Sequence, residues 1–270
     1  MTRRSPQCDT QAVVRPSRVG YARAAMWTDA IDLRDFYSSG LGQMARRMIR
    51  RRLRALWPDV SGHSVLGLGY PTPYLTSFRG EASRVLAAMP AAQGVLHWPN
   101  DEAGLTTLVD ELELPFDDLS MDRVLLVHAL ESAEQVRPLL REVWRVLAGS
   151  GRLIVVVPNR RGVWARFERT PFGRGLPYST GQVSRLLRDN LFTPVESSTA
   201  LCIPPVRSAV LLSSAPAWER LGGRLLSTFA GVVVIQAVKQ IYSGQPEAKT
   251  AQRRTYLPIP KGTSRASPQG

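Results

Sequence analysis

Apolar, β-branched runs alternate with amphipathic segments along most of this chain. Two of the clearest are Val-Leu-Leu-Val after Arg123 and Leu-Ile-Val-Val-Val after Arg152. Runs that are apolar at every position, rather than at alternate positions, are typical of strands that helices cover on both faces. Because these strands alternate with helical segments, the pattern predicts an α/β fold with a mostly parallel sheet.

The same pattern fixes approximate bounds for the elements. Strands are predicted at residues 63–68, 83–88, 105–109, 122–127, 151–157, 194–202 and 230–239. Helices are predicted at residues 29–57, just after Pro73, and at 132–148, 179–190 and 215–228. The first helix should break near Gly40. The connection 89–104 contains prolines and glycines, so we expect it not to form a full helix.

The net charge of +13 is confined to three segments rather than spread along the chain. They are residues 1–27, 41–57 and 244–270, and the rest of the chain is nearly neutral. The charge therefore does not by itself indicate a nucleic-acid-binding domain.

The length and composition predict one folded domain with basic extensions. We expect a single domain at residues 28–243, a flexible basic arm at 1–27 and a disordered basic tail at 244–270, where little can be buried. The periodic pattern begins only near Trp27, so Met26 is an alternative start of translation.

The cysteines and histidines indicate neither a disulfide framework nor a metal centre. Cys8 and Cys202 are isolated, and the three histidines show none of the close Cys/His pairings of a zinc site. No apolar run approaches the roughly 18 to 20 residues of a membrane span, and the N-terminus lacks the apolar core of a signal peptide. These features predict a cytoplasmic protein without a transmembrane segment.

Gly67 and Gly69 lie at the carboxyl end of the first strand, where open α/β sheets bind nucleotide-like ligands. Such a glycine pair also occurs wherever a strand end merely needs a tight turn. On these residues alone, both interpretations stay open.

Residues 106–162 carry a more specific pattern. Asp110 begins the segment Asp-Glu-Leu-Glu-Leu-Pro-Phe, His128 begins a His-Ala-Leu-Glu turn, and a helix ending in Leu-Ala-Gly-Ser-Gly precedes the strand at Arg152. In this order and spacing, the segment resembles the second half of a class I S-adenosylmethionine-dependent methyltransferase of the small-molecule type. The resemblance covers residues 63–160 well. It implies a Rossmann-like, doubly wound, mostly parallel seven-stranded sheet with helices on both faces, and S-adenosylmethionine as the cofactor.

The resemblance also implies roles for individual residues. Those expected to bind the cofactor are Gly67, Gly69 and Tyr70 at the methionine part, Met89 near the ribose, and Asp110, Glu111 and Leu112 at the adenine. His128, at the end of the fourth strand, would border the methyl-transfer cleft and act as the catalytic base. As alternatives, His128 is a strand-end histidine bonded to the backbone, and Asp110 is a solvated turn residue.

Three departures from the family pattern concern the cofactor site. The family usually has an acidic residue at the position of Gly67 and glycines at those of Pro71 and Pro73. Its second strand usually ends in a carboxylate that binds the ribose, whereas this chain has Ala88 and Met89 there. Losing such an acceptor should cost about 1 to 3 kcal/mol of binding free energy. We therefore expect a site that has been rebuilt or lost.

The helix around residues 44–57 has an apolar face and an arginine-rich face. The arginines would suit phosphate groups of a nucleic acid or of an acidic membrane surface, although a charged helix face is usually only solvated. Arg52 lies in the apolar stripe. It either extends its charge to solvent or pairs with a carboxylate near the cleft.

The long connection after the fifth strand, residues 158–180, is rich in arginine and aromatic residues. Loops at this edge of the sheet commonly recognise substrates. The candidate substrate residues are Tyr37, Arg160, Arg161, Trp164 and Tyr178, with Tyr74, Arg169 and Phe172 as further members. They would suit an anionic or aromatic small molecule. Alternatively, the connection is a packed turn that supports the next helix.

Two functions follow. The first is methyl transfer from S-adenosylmethionine to an unidentified O, N or C acceptor. The second is a non-catalytic protein of the same fold, which binds a partner or an anionic surface through the arginine-rich helix and the 158–180 loop. The fold alone does not choose between them, because function depends on the site.

Overall fold

The computed structural model describes residues 28–205 and 229–241. The predicted arm, the predicted tail, the helix at 215–228 and Cys8 lie outside these residues. In the described ranges, all seven predicted strands form, with ends that differ from the prediction by a few residues.

The strands form one sheet with the order β3-β2-β1-β4-β5-β7-β6. They are β1 (Ser64–Gly69), β2 (Arg84–Pro90), β3 (Thr106–Val109), β4 (Met121–Val127), β5 (Leu147–Pro158), β6 (Phe192–Ala200) and β7 (Val232–Lys239). The first five strands are parallel, whereas β7 is antiparallel to both β5 and β6. The predicted doubly wound, mostly parallel sheet is thus confirmed.

The described helices are α1 (Ala30–Ser38), α2 (Gly40–Leu56), α3 (Thr72–Leu75), α4 (Val136–Val146) and α5 (Thr180–Asp189). Ser39 separates α1 from α2: its extended backbone ends the first helix, and its hydroxyl accepts a hydrogen bond from the Gly42 N–H at 3.1 Å. The predicted break near Gly40 is confirmed. Gly42 is required at this corner because a Cβ there would lie 2.0 Å from the Phe36 carbonyl oxygen.

Two apolar clusters pack on opposite faces of the sheet, because successive strand residues point to opposite sides. Val65 and Val127 face α1 and α2, whereas Leu66 and Leu126 face α4 and α5. Every central strand is therefore covered on both faces, as its continuous apolar sequence predicts. None of the helices in the described ranges is both long and apolar enough to cross a membrane.

The arginines of α2 have different environments. Arg47 and Arg50 are exposed. Arg54 bonds both carboxylate oxygens of Glu81, at 2.7 and 3.0 Å. Arg52 is half-buried, and within the described residues it forms no ion pair, so the pairing considered for it near the cleft is not formed there.

Candidate active site

The glycine turn after β1 is bonded directly to the end of β4. Gly69 has a φ of +93°, which few residues other than glycine adopt. A Cβ on Gly69 would lie 2.2 Å from the carbonyl oxygen of Val127, which accepts the Tyr70 N–H at 2.8 Å. The turn therefore needs glycine for both its conformation and its close approach to β4, next to His128.

Pro71 accounts for the missing acidic residue at Gly67. A Cβ on Gly67 would lie 2.4 Å from both Cβ and Cγ of the Pro71 ring, and 2.9 Å from Leu75 Cδ1. The proline ring thus occupies the space beside Gly67 that a carboxylate side chain would need. The two departures form one compensated packing arrangement, and α3 begins immediately after it at Thr72.

Four buried polar side chains are linked at this edge of the sheet. The Tyr37 hydroxyl lies 2.9 Å from the Tyr74 hydroxyl and 2.8 Å from His128 Nε2. His128 Nδ1 lies 3.2 Å from a Glu131 carboxylate oxygen. We call Tyr74, Tyr37, His128 and Glu131 the polar relay. Its members come from α3, α1 and the turn after β4, and all are buried.

The hydrogen-bond donors of the polar relay follow from its chemistry. An ionised Glu131 can only accept, so the proton on that side belongs to His128 Nδ1. In a neutral ring, Nε2 is then an acceptor for the Tyr37 hydroxyl, which accepts in turn from Tyr74. Burial, followed by the neighbouring Tyr74, raises the pKa of Tyr37 well above its usual value, so this hydroxyl stays protonated. His128 has a φ of +53°, in the left-handed region that few residues other than glycine adopt, although histidine is among those that do so more often.

Aromatic rings enclose the polar relay. Tyr70 stacks on Tyr37 with ring centroids 5.9 Å apart, and the Phe172 ring lies 5.0 Å from the His128 ring. Burial raises the pKa of Tyr70 to about 12. The second carboxylate oxygen of Glu131 is also buried and has no hydrogen-bond partner. A buried carboxylate oxygen without a partner is costly, because it gives up its bonds to water.

Helix α1 extends across this edge of the sheet. At its start, the Ala30 N–H donates to the Gln93 carbonyl after β2 at 2.9 Å. Further along, Asp32 pairs with Arg174 at 2.9 Å, and at its end Tyr37 reaches His128 after β4. The helix therefore covers the carboxyl ends of β2, β1 and β4, which is where open α/β sheets bind their ligands.

The residues expected near the adenine form a turn after β3. One Asp110 carboxylate oxygen accepts from the Leu112 N–H at 2.9 Å, so this amide already has a partner. Burial raises the pKa of the Glu111 carboxyl. Asp110 and Leu112 are exposed, whereas Met89 is fully buried and packs in the apolar cluster beneath α1.

Arg145 on α4 fixes the chain that follows this turn. Its guanidinium donates to the carbonyl oxygens of Leu114 and Phe116, at 2.8 Å each, and it also bonds Glu142. This guanidinium holds the pKa of the Glu142 carboxyl below its usual value. The segment after β3 is thereby held against α4.

The candidate substrate residues do not all lie at one surface. Arg160 and Arg161 are exposed at the end of β5. The Tyr178 carbonyl accepts a hydrogen bond from the Arg160 N–H. Tyr37 belongs to the polar relay. Trp164, in contrast, is fully buried, and its indole N–H donates to the Ile203 carbonyl at 2.6 Å. It packs in the core, so the structure does not bring it to the substrate side.

Sequence reasoning missed Gln93 and Glu131. Glu131 stands three residues after His128 in the His-Ala-Leu-Glu turn, and this spacing was the available signal. Gln93 carried no comparable signal, because only its burial without hydrogen-bond partners distinguishes it.

With its seven-stranded sheet, the chain has the fold of solved S-adenosylmethionine-dependent methyltransferases. Residues 66–155 match the family model described as a methyltransferase domain. The match covers a third of the chain, and over these residues the chain is similar to that family.

Two curated relatives are demethylmenaquinone methyltransferases. The one from Thermus thermophilus is 31% identical over 107 residues, which are 39% of this chain and 48% of the relative. The one from Corynebacterium efficiens is 30% identical over 132 residues, or 49% of this chain and 57% of the relative. The chain thus spans about half the length of the curated relatives it matches.

Solved structures show the same fold at low sequence identity. A Thermotoga maritima S-adenosylmethionine-dependent methyltransferase, described as a possible histamine N-methyltransferase, has a TM-score of 0.53 at 17% identity, covering 78% of this chain and 95% of its own. An Archaeoglobus fulgidus S-adenosylmethionine-dependent methyltransferase has a TM-score of 0.53 at 19% identity, covering 72% and 94%. At these identities the likeness supports the fold.

Proposed function

We propose that this chain transfers a methyl group from S-adenosylmethionine to a small-molecule acceptor at the edge of the sheet beneath α1. The observation that carries the proposal is the buried polar relay, which lies directly beside the glycine turn of a methyltransferase fold. A buried histidine oriented by a carboxylate is a common arrangement for a general base. A cytoplasmic location remains part of the same proposal.

The residues at this edge fit the cofactor, although they differ from the residues that the family usually has there. Gly67, Gly69 and Tyr70 would approach its methionine part, where Pro71 and the tyrosine rings replace the usual carboxylate and glycines. Aromatic ring faces attract cations, so stacked Tyr37 and Tyr70 suit a site for a sulfonium. When bound, the cofactor supplies an electrophilic methyl group attached to a positively charged sulfur.

The nucleoside part would bind at the ends of β2 and β3. Asp110 has a second carboxylate oxygen for the adenine amino group, and Glu111 lies next to it. The N–H of Leu112 would meet the ring only if it leaves the Asp110 carboxylate. The buried Met89 would contribute apolar packing near the ribose rather than a hydrogen bond.

His128 would be the base that accepts the proton of the acceptor. Since Nε2 is bonded to the Tyr37 hydroxyl, the proton would pass through Tyr37: its oxygen takes the acceptor's proton while its own proton moves to Nε2. The resulting imidazolium lies beside the Glu131 carboxylate, which stabilises it. The high pKa of Tyr37 favours such a concerted transfer over a free tyrosinate.

The acceptor we propose is an aromatic small molecule with an anionic group. The demethylmenaquinone methyltransferases among the relatives support an aromatic acceptor. Exposed Arg160 and Arg161, next to the half-buried Tyr178, would bind its anionic part. Trp164 would support this edge from the core.

Thermal unfolding with S-adenosylhomocysteine, the demethylated product, tests the proposal. A ligand that binds only the native state raises the melting temperature as its concentration rises. We expect such a rise with S-adenosylhomocysteine and with S-adenosylmethionine, and none with ATP as the control nucleotide. No shift at millimolar concentrations of either compound would rule out the methyltransferase function and leave the non-catalytic alternative.

A further inference from the structure

Gln93 is buried with its side-chain amide unsatisfied. The residue is 2% exposed, and neither its side-chain oxygen nor its side-chain nitrogen has a hydrogen-bond partner. Burying both groups without partners costs free energy, because each gives up its bonds to water. Buried amides are almost always bonded, so an unsatisfied one needs an explanation.

The place of Gln93 in the fold indicates what would satisfy the amide. The residue follows β2, which pairs with β1 and therefore lies beside the glycine turn. In dinucleotide-binding sheets, a side chain about 20 residues beyond the glycine turn hydrogen-bonds the ribose. Gln93 lies 24 residues after Gly69. From Val85 to Gly94 it is the only residue whose side chain carries strong hydrogen-bonding groups.

Few backbone groups compete for the same role. Pro90 has no N–H, and the Ala91 N–H is bonded to the Val109 carbonyl. The N–H groups of Gln93 and Gly94 both donate to the Pro90 carbonyl. The Gln93 side chain is therefore the group at the end of β2 that offers both an acceptor and donors.

We infer that Gln93 binds the ribose hydroxyls of the cofactor, in place of the carboxylate that is missing from the end of β2. This inference rests on the proposed function. A primary amide carries an acceptor oxygen and a nitrogen with two donor hydrogens, both attached to the same carbon. It can accept from one hydroxyl of a vicinal diol and donate to the other. Unlike a carboxylate, it does so without burying a charge under α1.

The backbone contacts of Gln93 connect this binding to α1. Its carbonyl accepts the N–H of Ala30, the first residue of the helix. Because both amide atoms are buried, a ligand reaches them only when a neighbouring segment moves. We expect the first turn of α1 to shift when the nucleoside binds.

The test compares the binding of S-adenosylhomocysteine and of its 2′,3′-dideoxy analogue to the wild type and to Gln93→Met by calorimetry. Methionine keeps the length of the side chain and removes the amide. We expect the wild type to bind the natural compound at least about tenfold more tightly than the analogue. Gln93→Met should bind the natural compound about tenfold more weakly and lose the discrimination between the two.

Two controls keep the outcomes distinct. Gln135→Met makes the same change at an exposed position at the start of α4 and should leave binding unchanged. The melting temperature of Gln93→Met without ligand should equal or exceed that of the wild type, since an unsatisfied polar group has been removed. Equal affinity of Gln93→Met and wild type, or no discrimination by the wild type, would overturn the inference while the proposed function stands. If the wild type binds neither compound, the proposed function fails, and the inference fails with it.

Discussion

Pro71 lies against Gly67 so closely that a Cβ on Gly67 would be 2.4 Å from two carbons of the proline ring. Seen as isolated sequence changes, the glycine and the proline each look like damage to a cofactor motif. In the structure they are complementary, since the ring occupies the space that the glycine leaves. The two residues therefore pack as one unit in the turn after β1.

Gly67→Ala should destabilise the protein by about 1 to 3 kcal/mol, because an added methyl group overpacks a closed core. Chemical denaturation measures the change. Gly80→Ala is the matched control, since a Cβ there has no neighbour within 4 Å. Adding Pro71→Gly to Gly67→Ala should recover part of the loss. Equal stability of the two alanine variants would show that Pro71 does not fill this space.

Tyr37→Phe should lower the free energy of unfolding by about 1 to 3 kcal/mol, because it leaves His128 Nε2 and the Tyr74 hydroxyl without their shared partner. Tyr178→Phe is the control: its hydroxyl makes one long bond, 3.4 Å to the Leu130 carbonyl, and should matter less. Nitrogen NMR shifts of a neutral His128 ring should show the proton on Nδ1. A proton on Nε2 would contradict the polar relay.

The stability of the protein should fall at alkaline pH through Tyr70. Burial raises the pKa of Tyr70 to about 12, from 10.0. The unfolded chain therefore loses this proton first: the stabilisation is complete below pH 10 and is lost as the pH rises towards 12. Burial also raises the pKa values of Tyr37 and Tyr74. Tyr70→Phe should show a shallower loss of stability between pH 10 and 11.5 in denaturation experiments, and an unchanged slope would contradict the burial of this hydroxyl.

Local sequence patterns predicted most of the fold, because the strands are continuous apolar runs that carry their own signal. The break between α1 and α2 was also predictable, since Gly40 interrupts the helical pattern. In the structure Ser39 caps the start of α2. Trp164 shows where this approach fails. Its loop looked like a substrate loop, but its indole N–H finds the Ile203 carbonyl, 39 residues away, and the ring packs in the core.

The candidate site was only partly predictable for the same reason. His128 was found from its motif, but its partner Tyr37 is 91 residues away. No local sequence pattern predicts the contact between them. Gln93 lies among alanine, proline and glycine, and only the tertiary structure shows that its amide is buried without partners. Contacts between distant segments cannot be read from the spacing of residues within one segment.

Hydrogen exchange with and without S-adenosylhomocysteine would show whether the cofactor binds at the edge of the sheet beneath α1. We expect slower exchange on binding in residues 66–75, 88–94 and 109–113 and in the first turn of α1. The open groove between α4 and α5, lined by Arg137, Gln182 and Arg185, should be unchanged and serves as the internal reference. Protection confined to that groove, or no protection in any of these segments, would contradict the account.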